Sequence, residues 1–219
     1  IGSAAQSMSP AAIPTGHNNK GFFKRALMNL FIIAFMFGFV ELYTFCLGSG
    51  NGLIGLTISL AIISFWRTDI GIKPLQGAFV IWGSFLLTGG ATFLASFHPA
   101  IGVFVNFASI YIILTLTSHQ PMAKAYYPIL SCYLFAQSSP VYGIDYGLRM
   151  IGIAGGGLIV AIIYYMRHRK VKRRRNITDI FRETHFCSIR TKFFIRLTTG
   201  LTIAMLIGDF YHVLKPAWI

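Results

Sequence analysis

Arg149 follows Asp145 by one helical turn, and the run Gly152, Gly155, Gly156 and Gly157 comes directly after it within apolar sequence. A charge near mid-bilayer costs at least about 2.5–3.5 kcal/mol on the insertion scale, so an arginine kept in such a run needs a reason. A guanidinium fork matches a carboxylate with two parallel hydrogen bonds. Arg149 is therefore a candidate anchor for an anionic solute, and Asp145 is spaced to pair with it across the turn. The competing reading places the pair at the interface, with Arg149 stretched toward the headgroups. Tyr142, Tyr146 and Phe135 are candidates to flank an aromatic ring near the same end. Glu41 and Asp209 are carboxylates inside apolar runs, where a carboxyl removed from water can carry a proton; a solvated place near the interface explains them equally well.

Other chemistry has little to stand on. There is no HExxH, GxSxG, P-loop or paired-cysteine motif, and this argues against an enzyme. Cys46, Cys132 and Cys187 are far apart and read as small apolar residues of a reduced protein. His98, His119 and His212 have no partner at ligand spacing, so neither a metal nor a cofactor is expected. Asn106 and the set Thr88, Gly89 and Gly90 supply polar or close-packing points suited to interhelical contact. Gly152 with Gly156 makes a small-xxx-small face, which points first to close helix packing.

The elements that position these residues follow from composition. The 219 residues are 55% hydrophobic and 11% charged, against about 25% charged in an ordinary soluble domain. Apolar runs long enough to matter in a bilayer extend over 26–47, 53–66, 75–97, 101–117, 126–138 and 146–166, the second and fifth being short. Gly48, Gly50 and Gly52 leave a tight turn that makes the first two helices an antiparallel hairpin. The expected fold is all-α, a polytopic transmembrane helical bundle of six helices plus the start of a second repeat. Its parts are a flexible tail (1–21), the six-helix domain (22–166), a basic cytoplasmic connector (167–192) and the first helix of a truncated repeat (193–219).

Charge sets the orientation. The block Arg167 to Arg175, RHRKVKRRR, follows the sixth run, and basic residues beside a span stay cytoplasmic. Lys20, Lys24, Arg25, Arg67, Lys73 and Lys124 then fall on the same side, while the turns around Ser49, around His98 and from Ser139 to Gly143 carry no Lys or Arg. The amino terminus is expected in the cytoplasm. The net charge of +13 lies in loops between spans and not on a soluble face, so nucleic acid is not an expected partner. Anionic lipid is, at Arg167 to Arg175. Residues 176–194 have the broken apolar spacing of a cytoplasmic helix, with Thr178 and Asp179 able to start it.

A seventh run, 197–214, resembles the beginning of the first. Phe22-Phe23-Lys24-Arg25 aligns with Phe193-Phe194-Ile195-Arg196, and Leu30, Ile32 and Phe39 align with Leu201, Ile203 and Phe210. The chain starts at Ile1 and stops at Trp218-Ile219 beside an apolar run, so it is expected to be a piece of a longer protein.

These features together resemble a known family. Tyr127-Pro128 opening the fifth run, Ser139-Pro140-Val141 closing it, Arg149 with its glycines, the basic segment, and the restart at Arg196 ending in Lys215-Pro216-Ala217-Trp218 look like the fusaric acid resistance and aromatic acid exporter superfamily of bacterial inner-membrane proteins. The resemblance covers most of the chain from Phe22 and implies two six-helix halves joined by a cytoplasmic segment. It also implies proton-driven efflux of aromatic or other organic acids. The chain departs from that pattern by its short connector and by ending within the second half, so a missing half or a second copy would complete the path. Passive anion channels on the same scaffold, and a scaffold protein that binds anionic lipid or a partner through its basic block, are the alternatives.

Overall fold

The computed structural model describes residues 19–117, 125–171, 175–182 and 189–210; the side chains of 19–22, 99, 181, 209 and 210 lie outside the described part. The expectations that concern residues 1–18, Lys20, Lys124, His119, Cys187, His212, the centre of the basic block and the last residues of the chain therefore fall outside it. Residues 1–35 form one compact unit, described as the first half of a helix, and residues 36–219 form another.

Every described element is helical. In order they are α1 (Asn19–Leu47), a 3-10 turn (Ser49–Asn51), α2 (Gly52–Arg67), α3 (Pro74–Phe97), α4 (Pro99–Thr117), α5 (Tyr127–Ser138), α6 (Ile144–His168), α7 (Ile177–Arg182) and α8 (Ile189–Phe210). Six segments are long and apolar enough to cross a bilayer: Phe23–Leu47, Ser49–Arg67, Pro74–Phe97, Ala100–Thr117, Ile144–His168 and Ile189–Gly208. The protein is an all-α, multi-pass membrane bundle.

Two helices begin well before the apolar runs that announce them. α1 starts seven residues ahead of Ala26, and α8 eight residues ahead of Leu197. Hydropathy marks the part of a helix that sits in hydrocarbon, whereas the polar first turns continue the same backbone hydrogen bonding outside it.

α5 departs from the expected pattern of full crossings. Its 12 residues rise only about 18 Å against a hydrocarbon core of about 30 Å. It lies against α2, α3 and α4. Pro128, Ile129, Leu130, Cys132, Tyr133 and Ala136 are all buried. A helix that stops at membrane depth leaves free carbonyls and amides, which are tolerated only where protein encloses them. At the close of α5 the Arg149 guanidinium takes up the Ala136 and Ser139 carbonyls.

The buried face of α6 runs Arg149, Gly152, Ile153, Gly156, Gly157, Val160, Ala161, Tyr164 and His168, a strict three-and-four spacing. Its outer face carries Ile151, Leu158, Ile159, Ile162 and Met166, all exposed. Both faces are apolar, so hydrophobicity cannot choose between them; small residues do, because they let backbones approach. A Cβ on Gly156 would strike Ile58, one on Gly152 would strike Tyr43 and Leu47, and one on Gly157 would lie 2.6 Å from Phe85 Cβ, while Gly155 faces open space. α3 and α2 pack on this face, and Trp82 Nε1 donates to the Ala154 carbonyl at 3.2 Å.

The second unit has two chemically distinct ends. At the basic end the Lys73 amide donates to the Arg175 carbonyl (3.1 Å) and Ile177 N–H to Gln76 Oε1 (3.0 Å), which pins the chain after α6 onto the start of α3. Arg167 lies over the Trp66 ring at 5.6 Å, and Tyr164 OH donates to Asp69 at 2.8 Å. Asp179 accepts from Asn176 N–H at 2.8 Å and so closes the first turn of α7. The other end brings together the α1–α2 turn, the close of α5 and the start of α6. Apart from Arg149, its loops contain no Lys or Arg.

Candidate functional site

The charged group at that second end is held entirely by neutral acceptors. Arg149 is 2% exposed. Its Nε donates to Asn51 Oδ1 (2.8 Å) and its Nη2 to the Gly50 carbonyl (2.9 Å). Nη1 donates to the Ala136 carbonyl (3.3 Å) and to the Ser139 carbonyl. One side chain thus ties the α1–α2 turn to the last turn of α5 and to the α5–α6 connection. The acceptors exist because helices end here. Gly48 at φ 90° breaks α1, the 3-10 turn presents its Gly50 carbonyl to the guanidinium, and the end of α5 presents those of Ala136 and Ser139. Asn51 completes the cradle by donating its amide to the Leu47 carbonyl at 2.7 Å, which turns its oxygen toward Arg149.

The guanidinium points into the bundle, not toward the headgroups. Asp145 is exposed in the first turn of α6, where a carboxylate suits the positive end of the helix. Tyr43, 7% exposed, packs its hydroxyl beside Gly152, one turn from Arg149, and that oxygen has no hydrogen-bond partner.

The three aromatic candidates do not converge. Tyr146 faces α3, donating to the Gly89 carbonyl at 2.8 Å with its ring 5.3 Å from Phe93. Tyr142 is exposed and Phe135 is half-buried against the core. Glu41 is exposed on α1, on a different face from the inward-turned Tyr43. The side chain of Asp209 in α8 lies outside the described residues.

A second polar cluster lies where α4 meets α5. Tyr133 OH donates to Asn106 Oδ1 at 2.6 Å, and Gln137 Nε2 donates to the same oxygen at 2.9 Å. Asn106 thus serves interhelical hydrogen bonding. Its partners, like Asn51 and the carbonyls of Gly50, Ala136 and Ser139, escaped the sequence reading. The signals present were an Asn within the glycine-rich turn and the i, i+4 spacing of Tyr133 and Gln137, which puts them on one face of α5.

Fold and site together define a multi-pass α-helical membrane protein whose bundle contains one arginine hydrogen-bonded to its own backbone turns. No family model, no curated protein and no solved structure matches the chain.

Proposed function

We propose that this chain is the membrane domain of a proton-coupled exporter of aromatic or other amphipathic organic acids, placed in a bacterial plasma membrane with its basic end in the cytoplasm. The observation that carries the anion preference is the Arg149 charge. Its hydrogen bonds all go to neutral oxygens, so they solvate the cation without cancelling it. Hydrogen bonds to a charged group contribute about 1.5–3 kcal/mol each, enough to hold the guanidinium in place without a carboxylate. A fixed positive charge in a low-dielectric bundle draws anions over cations.

The acid character of the solute follows from that charge, and its aromatic character from the family resemblance. Arg149 supplies the attraction near the outer mouth; Tyr142, Tyr146 and Phe135 face different neighbours, so each is a separate candidate for a ring contact along the path, and Asp145 lies exposed one turn before Arg149. Glu41 and Asp209 are the candidates to exchange the coupled proton. The sorting of Arg67, Lys73, Arg167 and Arg169 to one end of the second unit supports the cytoplasmic placement. Within the second unit the α1 residues Phe37, Leu42 and Phe45 are exposed, and a second copy or a second half would cover part of that face.

The test is flux of labelled benzoate from liposomes holding the purified protein, with and without a proton gradient. Gradient-dependent flux that falls at least about tenfold in Arg149→Gln, in protein shown to remain folded, is the expected result. Equal flux without a gradient would make it a passive anion channel. No flux above empty liposomes across a panel of organic acids would sink the transport reading in favour of a lipid-binding scaffold.

A further inference from the structure

Tyr43 occupies a slot that two glycines leave open. Its ring lies in the groove where α2 meets α6. A Cβ on Gly55 of α2 would come within 2.8 Å of Tyr43 Cγ, and one on Gly152 of α6 would come within 2.9 Å of Cζ and strike the hydroxyl. The two glycines therefore wall the root and the tip of one phenol ring, and a side chain at either position would narrow the slot. Phe39 stacks beside the ring, with centroids 6.1 Å apart and planes at 29°. Tyr43 is also the one buried side chain of residues 36–47, the others being exposed or half-buried. The seating of this stretch of α1 thus depends mainly on one ring.

The polar end of that ring is mismatched to its surroundings. Tyr43 is 7% exposed and its oxygen has no hydrogen-bond partner. An unmade bond is costly there, because a membrane interior holds no water to supply one. Arg149 is one helical turn from Gly152 and within electrostatic reach of the Tyr43 hydroxyl. Its four acceptors take four of its five N–H groups, so among the described residues one Nη2 hydrogen has none. A neutral hydroxyl stands where a carboxylate oxygen would gain the attraction of a cation. The resident side chain fills the slot well and serves its polar end badly, which makes it replaceable.

We propose that the Tyr43 slot is the binding site of the organic anion, and that this anion is an aromatic monocarboxylate. Its ring takes the place of the Tyr43 ring between Gly55 and Gly152, and its carboxylate replaces the hydroxyl and faces Arg149. Residues 36–47 carry Tyr43 aside as the solute enters, and the returning ring expels it. Tyr43 is thereby a built-in competitor of the solute. The proposal rests on the organic-anion reading above and adds the site. It also draws the preference for a ring from the slot instead of from a resemblance.

Binding tests it separately from flux. Labelled benzoate is measured by equilibrium dialysis against the purified full chain in detergent at neutral pH. Tyr43→Ala empties the slot and should bind benzoate at least about tenfold more tightly than the native protein, because the resident ring no longer competes. Tyr43→Phe removes no hydrogen bond and should fold. It seats the ring without the penalty of the hydroxyl, so benzoate should bind about fivefold or more weakly than to the native protein. Two competitors separate ring from charge in Tyr43→Ala: benzyl alcohol has the ring alone and butyrate the carboxylate alone. Each should compete at least about tenfold less well than unlabelled benzoate. Equal affinity in all three proteins, no binding to any folded one, or a control that competes as well as benzoate would overturn the site. Should Tyr43→Ala fail to fold, the native protein against Tyr43→Phe decides alone. Benzoate bound in the expected order but never carried across liposomes keeps the site and defeats the transport reading, whereas flux without that order of binding does the reverse.

Discussion

Replacing Arg149 tests whether its guanidinium holds the second end of the bundle together. Lysine keeps the charge but presents its three N–H bonds from one atom, so it cannot serve Asn51 Oδ1 and the Ser139 carbonyl at once. About two of the four bonds are lost, at about 1.5–3 kcal/mol each, giving about 3–6 kcal/mol for Arg149→Lys. Glutamine loses nearly all four bonds, about 6–12 kcal/mol, but it also removes a burial cost of about 2.5–3.5 kcal/mol and makes a bond or two of its own. Its net cost is therefore close to that of lysine. For a chain of this size 1 kcal/mol shifts the melting temperature by about 2–4 °C, so either variant should melt about 6–24 °C below the native protein in detergent. Tryptophan fluorescence can follow it, since Trp66 and Trp82 both lie in the second unit. Asn51→Leu removes both the Arg149 acceptor and the donor to the Leu47 carbonyl, so it should cost about 2–4.5 kcal/mol alone but only about 0.5–1.5 kcal/mol in the Arg149→Gln background, where the Arg149 bond is already gone. A shift under about 2 °C in both arginine variants, or full additivity with Asn51→Leu, would refute the cradle.

Three further outcomes follow from the packing and the charge sorting. Gly156→Ala and Gly157→Ala should each destabilise by about 1–3 kcal/mol through overpacking against Ile58 and Phe85. Gly155→Ala should be neutral or stabilising by up to about 1 kcal/mol, as judged by thermal unfolding in the same detergent. Tyr133→Phe should cost about 1–3 kcal/mol by leaving Asn106 Oδ1 with one donor, and a double-mutant cycle with Asn106→Leu should return most of that as coupling. In intact cells expressing protein without native cysteines, a membrane-impermeant thiol reagent added outside should label Tyr142→Cys and spare Arg169→Cys. Labelling in the opposite order would invert the proposed orientation.

The glycine positions show how much of this was written in local sequence. Gly152 and Gly156 at a four-residue interval announced a close-packed face, and Tyr43, Leu47 and Ile58 occupy the space they leave. Asn106 in an apolar run announced an interhelical hydrogen bond, which it forms with Tyr133. The polar partner could not be named in advance, because Tyr133 is 27 residues away and meets Asn106 only through the placement of α5. Arg149 is the harder case. Its spacing from Asp145 suggested an ion pair or a place at the headgroups, but a helical residue close to the core can also turn inward, and here free carbonyls at three chain breaks compete successfully for it.

What the sequence determined by itself is therefore whatever depends on one segment at a time. Long apolar runs must be helical in a bilayer because the backbone has no other partner there, so the all-α membrane fold, the helix order and most helix bounds were legible. The small-residue faces were legible for the same reason. Only the tertiary structure decided which groups meet. It packed a helix too short to span against α2, α3 and α4 and set Arg149 among carbonyls up to 99 residues distant. Each of these depends on the free energy of contact between segments far apart in the chain, and no local pattern of hydropathy or spacing contains that quantity.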